Sequence, residues 1–203
     1  AFNTLFYDPQ EGLYKDGLPD PVPESKWQPA NPPLRHFSRH SNTLAALYGL
    51  CSPEDARRIM RRLLDDRQMQ EVQPYFMHFV LDAVAETGLF PEYGMDLLRR
   101  WIPSADECIL GLAAGWYAPE EGYSFDHSHA WGGTPAYQLP ARMLGFRMVE
   151  PGFRRISLNP QLMGLSFADI AMPTPYGLIR CQLRQGEPPK IQVPDGIQWS
   201  ISR

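Results

Sequence analysis

Cysteine is scarce in this chain, basic residues are nowhere massed, and no apolar run is long. Cys51, Cys108 and Cys181 lie far apart among 203 residues, with no C-x-x-C pair. That spacing argues against a disulfide framework or a zinc knuckle and predicts buried free thiols. No stretch approaches the roughly 18 apolar residues of a membrane span, so no membrane-spanning helix is expected. The formal charge is −4 and Lys and Arg form no block. Arg57, Arg58, Arg61 and Arg62 recur at helical spacing among acids, which predicts a solvated face and makes nucleic acid an unsuitable partner. No G-x-S-x-G, P-loop or dinucleotide fingerprint occurs, which removes the common hydrolase elbow and nucleotide enzymes. The start, Ala1-Phe2-Asn3-Thr4-Leu5, is neither a signal peptide nor a basic arm and has no Met, so a processed chain or a piece of a longer one is expected. The compartment stays open: bacterial cytoplasm, periplasm or exterior.

What is there is enough apolar material, 43% of residues, to exclude wholesale disorder and to fill a core of one or two domains. The most informative stretch is Tyr123-Ser124-Phe125-Asp126-His127-Ser128-His129-Ala130-Trp131-Gly132-Gly133-Thr134-Pro135. It sets two histidines, an aspartate and a tryptophan beside a Gly-Gly pair. Core packing has no need of that mixture. A pocket for a polar, ring-shaped ligand does, because aromatic faces cover the apolar side of the ring while His and Asp bond its hydroxyls.

Residues 2–7 read as a short helix, followed by a long Pro-rich loop to about residue 33. That loop carries Tyr14 and Trp27 and is expected to form part of a pocket. Helices follow. Residues 41–50 place Leu44, Leu47 and Tyr48 on one face, with Ser41 or Asn42 as the cap. Ser52-Pro53-Glu54-Asp55 is a cap, a proline at the first helical position and a first turn of acids, and it opens a helix with Ala56, Ile59, Met60, Leu63 and Leu64 inward. Residues 75–87 repeat the period with Tyr75, Phe76, Phe79, Val80 and Ala83, and Gly88 ends them. Further helices are expected over residues 91–101, 105–114 and 135–144. Near residue 148 the period changes from helical to alternating, with Ile179, Cys181 and Leu183, then Ile191 and Val193, then Ile197, Trp199 and Ile201 in step. The expected fold is α+β: helices over 1–148 and a small antiparallel β domain over 149–203.

Several side chains are candidates for chemistry. His127 and His129 with Asp126 or Glu107 could hold a metal, but no H-E-x-x-H or cysteine cluster supports this, and hydrogen bonding to a ligand is the preferred reading; no cofactor is called for. Asp106 and Glu107 stand near a helix start, where acids complement the dipole, yet the apolar neighbours Ile109, Leu110 and Leu112 are what would tune a general base. Trp116 and Trp131 lie in Gly-flanked contexts and are read as facing a ligand; Trp101 is as well explained by packing. His36 and His40 could line the same cavity.

Taken in order, these residues resemble a known family. Phe37-Ser38-Arg39-His40-Ser41-Asn42-Thr43-Leu44-Ala45 opens a helix, and Val72-Gln73-Pro74-Tyr75-Phe76 follows. Later come Ser128-His129-Ala130-Trp131-Gly132-Gly133-Thr134-Pro135, Leu144-Gly145, Pro151-Gly152-Phe153 and Met172-Pro173-Thr174-Pro175-Tyr176-Gly177. This order and spacing are similar to the C-terminal portion of the α-L-rhamnosidases of glycoside hydrolase family 78. The resemblance implies part of an (α/α)6 toroid followed by a small β-sandwich, and removal of terminal α-L-rhamnose with inversion. It implies a general-base glutamate about twenty residues before a sugar-contacting loop histidine. Glu107 precedes His129 by 22 positions and is that candidate, with His129, Trp131, Asp126, Trp116 and His40 as substrate-binding candidates. The family's Thr-x-Trp-Glu-like context reads Ser104-Ala105-Asp106-Glu107 here, without the tryptophan, so Asp106 or Asp126 could replace Glu107. The family's general acid has no counterpart in these residues. The expected partners are therefore a carbohydrate and the N-terminal remainder of a parent enzyme, or a second copy of the chain. The fragment alone is expected to be inactive. The alternative is a carbohydrate-binding or scaffold module without catalysis.

Overall fold

The computed structural model describes residues 1–17, 36–107, 115–116 and 129–202, the side chains of Ser104 and Glu107 aside. Its contacts divide the chain into two compact units, Ala1–Leu97 with Ala114–Asp126, and Leu98–Ala113 with His127–Arg203.

The first unit begins with helix α1 (Phe2–Phe6) and a two-stranded antiparallel hairpin, β1 (Tyr7–Asp8) and β2 (Leu13–Tyr14). The Asp8 carboxylate accepts the N–H groups of Gln10 at 3.0 Å and Glu11 at 3.2 Å, which closes the turn. This hairpin occupies what the sequence suggested was loop, and it supplies two wholly buried side chains, Leu13 and Tyr14. Helix α2 (Arg39–Leu47) packs against α3 (Pro53–Asp65) and α4 (Pro74–Glu86). Ser52 caps α3 through the Asp55 N–H, Pro53 starts it, and Ala56, Ile59, Met60 and Leu63 are buried, as expected.

Two helix faces differ from expectation. In α2 the buried residues are Arg39, Asn42, Thr43, Ala45 and Ala46, while Tyr48 is 66% exposed. The reason is Asn42. Its Oδ1 accepts from Tyr14 N at 2.7 Å, and its Nδ2 donates to Tyr14 O at 2.9 Å and Ser38 O at 3.0 Å. A carboxamide that pairs with a backbone in this way turns the polar face of the helix inward. In α4 the buried set is Pro74, Met77, Val80, Leu81, Ala83 and Val84, with Tyr75 exposed. The helix expected over 91–101 starts as a π turn (Phe90–Gly94) before α5 (Met95–Arg99).

The four arginines of α3 do more than solvate a face. Arg62 bonds the Glu11 backbone and carboxylate, Arg58 reaches Gly12 O at 3.3 Å, Arg57 donates to Thr87 O at 2.6 Å, and Arg61 grips Glu92 with two bonds at 3.1 and 2.7 Å. They tie α3 to the hairpin, to the end of α4 and to the π turn.

The second unit contains α6 (Ile102–Glu107), α7 (Pro135–Met143) and two three-stranded sheets. Helix α6 takes in Pro103 and Ser104, which lie between the helices expected over 91–101 and 105–114; a proline in the first turn costs no hydrogen bond. The remainder of the helix expected over 105–114 lies outside the described residues. One sheet has the order β3 (Arg147–Glu150), β4 (Arg155–Leu158), β8 (Gln198–Ile201); the other runs β5 (Phe167–Thr174), β6 (Gly177–Arg184), β7 (Lys190–Gln192). The β4–β8 pair is parallel, a departure from the wholly antiparallel arrangement expected, and the other pairs are antiparallel. Parallel pairing needs a long connection, and β5, β6 and β7 form it. One core takes Met143 and Leu144 from the end of α7, Ile156 and Leu158 from one sheet, and Ile170, Met172, Ile179, Cys181 and Leu183 from the other. Cys181 is buried and Cys51 half-buried, both as free thiols; Cys108 lies outside the described residues.

Candidate functional site

The run His36 to Asn42 is organised by Asp16, a residue that no motif or periodicity connects with it. Ser38 is the N-cap of α2, rather than Ser41 or Asn42, and accepts the Ser41 N–H at 3.2 Å. The Asp16 carboxylate accepts from Ser38 N at 3.1 Å, Ser38 Oγ at 2.7 Å and Ser41 Oγ at 2.5 Å, and meets His36 Nδ1. Burial works to raise its pKa, but the bonds from Ser41, Ser38 and His36 outweigh it, and the net shift is downward. Asp16 N–H also donates to His36 O at 3.0 Å, so the chain is fastened to itself across this point. His36 is thereby a partner of Asp16.

His40 projects from α2 as an exposed ring with its centroid 4.2 Å from that of Phe76. Partial desolvation lowers its pKa, and the Asp16 charge works in the opposite direction. Trp116 donates its indole N–H to Val72 O at 2.6 Å. Its polar edge is engaged with the backbone.

His129 and Trp131 come together in the second unit. His129 caps a short 3₁₀ helix (Ala130–Gly133) and its Nδ1 accepts the Trp131 backbone N–H at 3.2 Å. The two rings meet edge to face, with centroids 4.6 Å apart and planes at 68°. Trp131 is 51% exposed and His129 half-buried. Thr134 and Pro135 then start α7, which holds the turn in place. An exposed indole beside an imidazole can cover the apolar face of a sugar and bond a hydroxyl. Glu107 is the last residue of α6 in the same unit. Asp126 and His127 lie outside the described residues. His40 and Trp116 belong to the first unit, and Glu107, His129 and Trp131 to the second. Among the described residues no three His, Cys, Asp or Glu side chains cluster as a metal site would require, and no helix is long and apolar enough to cross a membrane.

An α+β fold that ends in a two-sheet C-terminal region, with a capped His–Trp turn ahead of it, is shared with known proteins. Residues 145–194 match the family described as bacterial alpha-L-rhamnosidase C-terminal domain. Among solved structures, a glycoside hydrolase family 78 rhamnosidase of Bacillus sp. GL1 overlays 99% of this chain with a TM-score of 0.75 at 19% identity. The α-L-rhamnosidase of Dictyoglomus thermophilum overlays 98% with a TM-score of 0.70 at 18% identity. That of Aspergillus terreus overlays 81% with a TM-score of 0.57 at 18% identity. No curated protein matches the chain by sequence. The chain spans only 22%, 22% and 21% of those three structures. It therefore has the fold of the part of the α-L-rhamnosidases that it overlays, and the resemblance read from its residues stands.

Proposed function

We propose that these residues form the C-terminal part of an inverting, α-L-rhamnosidase-like glycoside hydrolase that releases terminal α-L-rhamnose from glycans or glycosides. Residues 1–148 are read as half of an (α/α)6 toroid and residues 149–203 as its β-sandwich. The overlay of 99% of the chain on about a fifth of a rhamnosidase carries the reading, and the sequence match over 145–194 supports it. Glu107 is the general base. It takes a proton from a water molecule that attacks the anomeric carbon from the face opposite the leaving oxygen. A carboxylic acid about 6.5–9.5 Å away, on polypeptide that these residues meet in the parent enzyme, protonates that oxygen. His129 and Trp131 hold the sugar, and Asp126, Trp116 and His40 are the remaining substrate-binding candidates. The chain alone then has no turnover on aryl α-L-rhamnosides. Joined to the remainder of the parent it hydrolyses them with inversion, read from the anomer first released.

The sequence Ser104-Ala105-Asp106-Glu107, without the tryptophan of the family's pattern, favours a second reading: a carbohydrate-binding or scaffold module that has lost catalysis. Rhamnose binding by the joined protein without any turnover would select that reading.

A further inference from the structure

The Trp131 backbone N–H points at His129 Nδ1, at 3.2 Å. A ring nitrogen that accepts a hydrogen bond carries no proton, so the neutral imidazole must hold its proton on Nε2. Among the described residues Nε2 has no hydrogen-bond partner, and the ring is half-buried beside the half-exposed Trp131 indole. We infer that the helix cap fixes His129 as the Nε2–H tautomer, so that beside the indole face it offers a ligand a hydrogen-bond donor and never an acceptor.

The consequence is a selection rule. A ligand stacked on Trp131 has to place an oxygen lone pair at His129 Nε2; a group that can only donate finds no partner there. A sugar hydroxyl or ring oxygen meets this requirement, and an ammonium does not. One residue thus does two things with its two nitrogens. Nδ1 sets the backbone turn that carries Trp131, and Nε2 reads the ligand. The identification of the ligand as a sugar rests on the proposed function; the tautomer does not.

The two are separated by experiment on the full 203-residue chain. Long-range proton–nitrogen NMR spectra of the neutral His129 ring should show the proton on Nε2. A ring protonated on Nδ1, or an even mixture of the two forms, overturns the inference. L-rhamnose is then titrated against the chain, with the Trp131 indole resonance as the reporter. His129→Ser retains an oxygen that can cap the turn but cannot reach the ligand; His129→Ala loses both roles. Both variants should weaken rhamnose binding roughly three- to tenfold, while only His129→Ala shifts the Trp131 resonance of the free protein. Unchanged affinity in His129→Ser would overturn the ligand-reading role. If the wild-type chain has the Nε2–H tautomer and binds no rhamnose, the sugar-site reading fails and the tautomer assignment stands.

Discussion

Replacing Gly145 by alanine should destabilise the second unit strongly, and the structure gives the size of the effect. Gly145 ends α7 with φ +56°, and a Cβ there would lie 2.7 Å from the carbonyl carbon of Asn159 and nearer still to its oxygen. That backbone cannot retreat easily, because Asn159 N donates to Leu144 O and Gln161 N to Met143 O, both at 2.9 Å. A left-handed conformation costs a non-glycine residue about 1–2 kcal/mol, and forcing an extra carbon into filled space costs a further ~1–3 kcal/mol. The expected loss is about 2–5 kcal/mol, a fall of roughly 4–20 °C in the melting of this unit for a chain of this length. Gly152 is the control. It has φ +72° with nothing within 4 Å of its Cβ position, so Gly152→Ala should cost only the conformational ~1–2 kcal/mol. Calorimetry or urea unfolding with a probe in the second unit measures both. Equal losses in the two variants would refute the close backbone approach as the reason for glycine at 145.

Two further predictions concern the first unit. Asn42→Ala strands the buried N–H and C=O of Tyr14, and should cost about 2–5 kcal/mol in urea unfolding; a loss below about 1 kcal/mol would mean that the clamp is dispensable. Because the folded-state pKa of Asp16 is lowered, its unfolded form binds more protons through the intervening range, so it contributes stability above the ordinary carboxylate pKa that is lost as pH falls through the lower folded value. Asp16→Asn should remove that part of the acid dependence, and an unchanged pH profile would contradict the assignment.

The parts that were legible in the sequence are those decided by near neighbours. The start of α3 is one: a serine cap, a proline and two acids are all the physics that a helix N-terminus requires, and the apolar period after them fixes the buried face. The β6 strand is another, since Ile179, Cys181 and Leu183 alternate with polar residues and are buried. What escaped depends on distant partners. The inward face of α2 is decided by an amide that pairs with a backbone 28 residues away, and no periodicity encodes that. Strand β5 contains Asp169 and Pro173, which weaken its signal, although Ala168, Ile170 and Met172 alternate inward. The parallel place of β8 is a matter of topology. At the site, the association of His129 with Trp131 was readable from composition, but their cap and ring geometry was not. Asp16 could not be linked to Ser38 and Ser41, 22 and 25 residues on, from sequence alone.

The most direct test of the proposed function is the effect of Glu107→Gln on aryl α-L-rhamnoside hydrolysis by the parent enzyme in which these residues are joined to the remainder. Loss of a general base should lower kcat by roughly 10²–10⁴-fold with the fold and rhamnose binding intact. A variant that turns over at the wild-type rate would contradict the assignment of Glu107 as the residue that activates water.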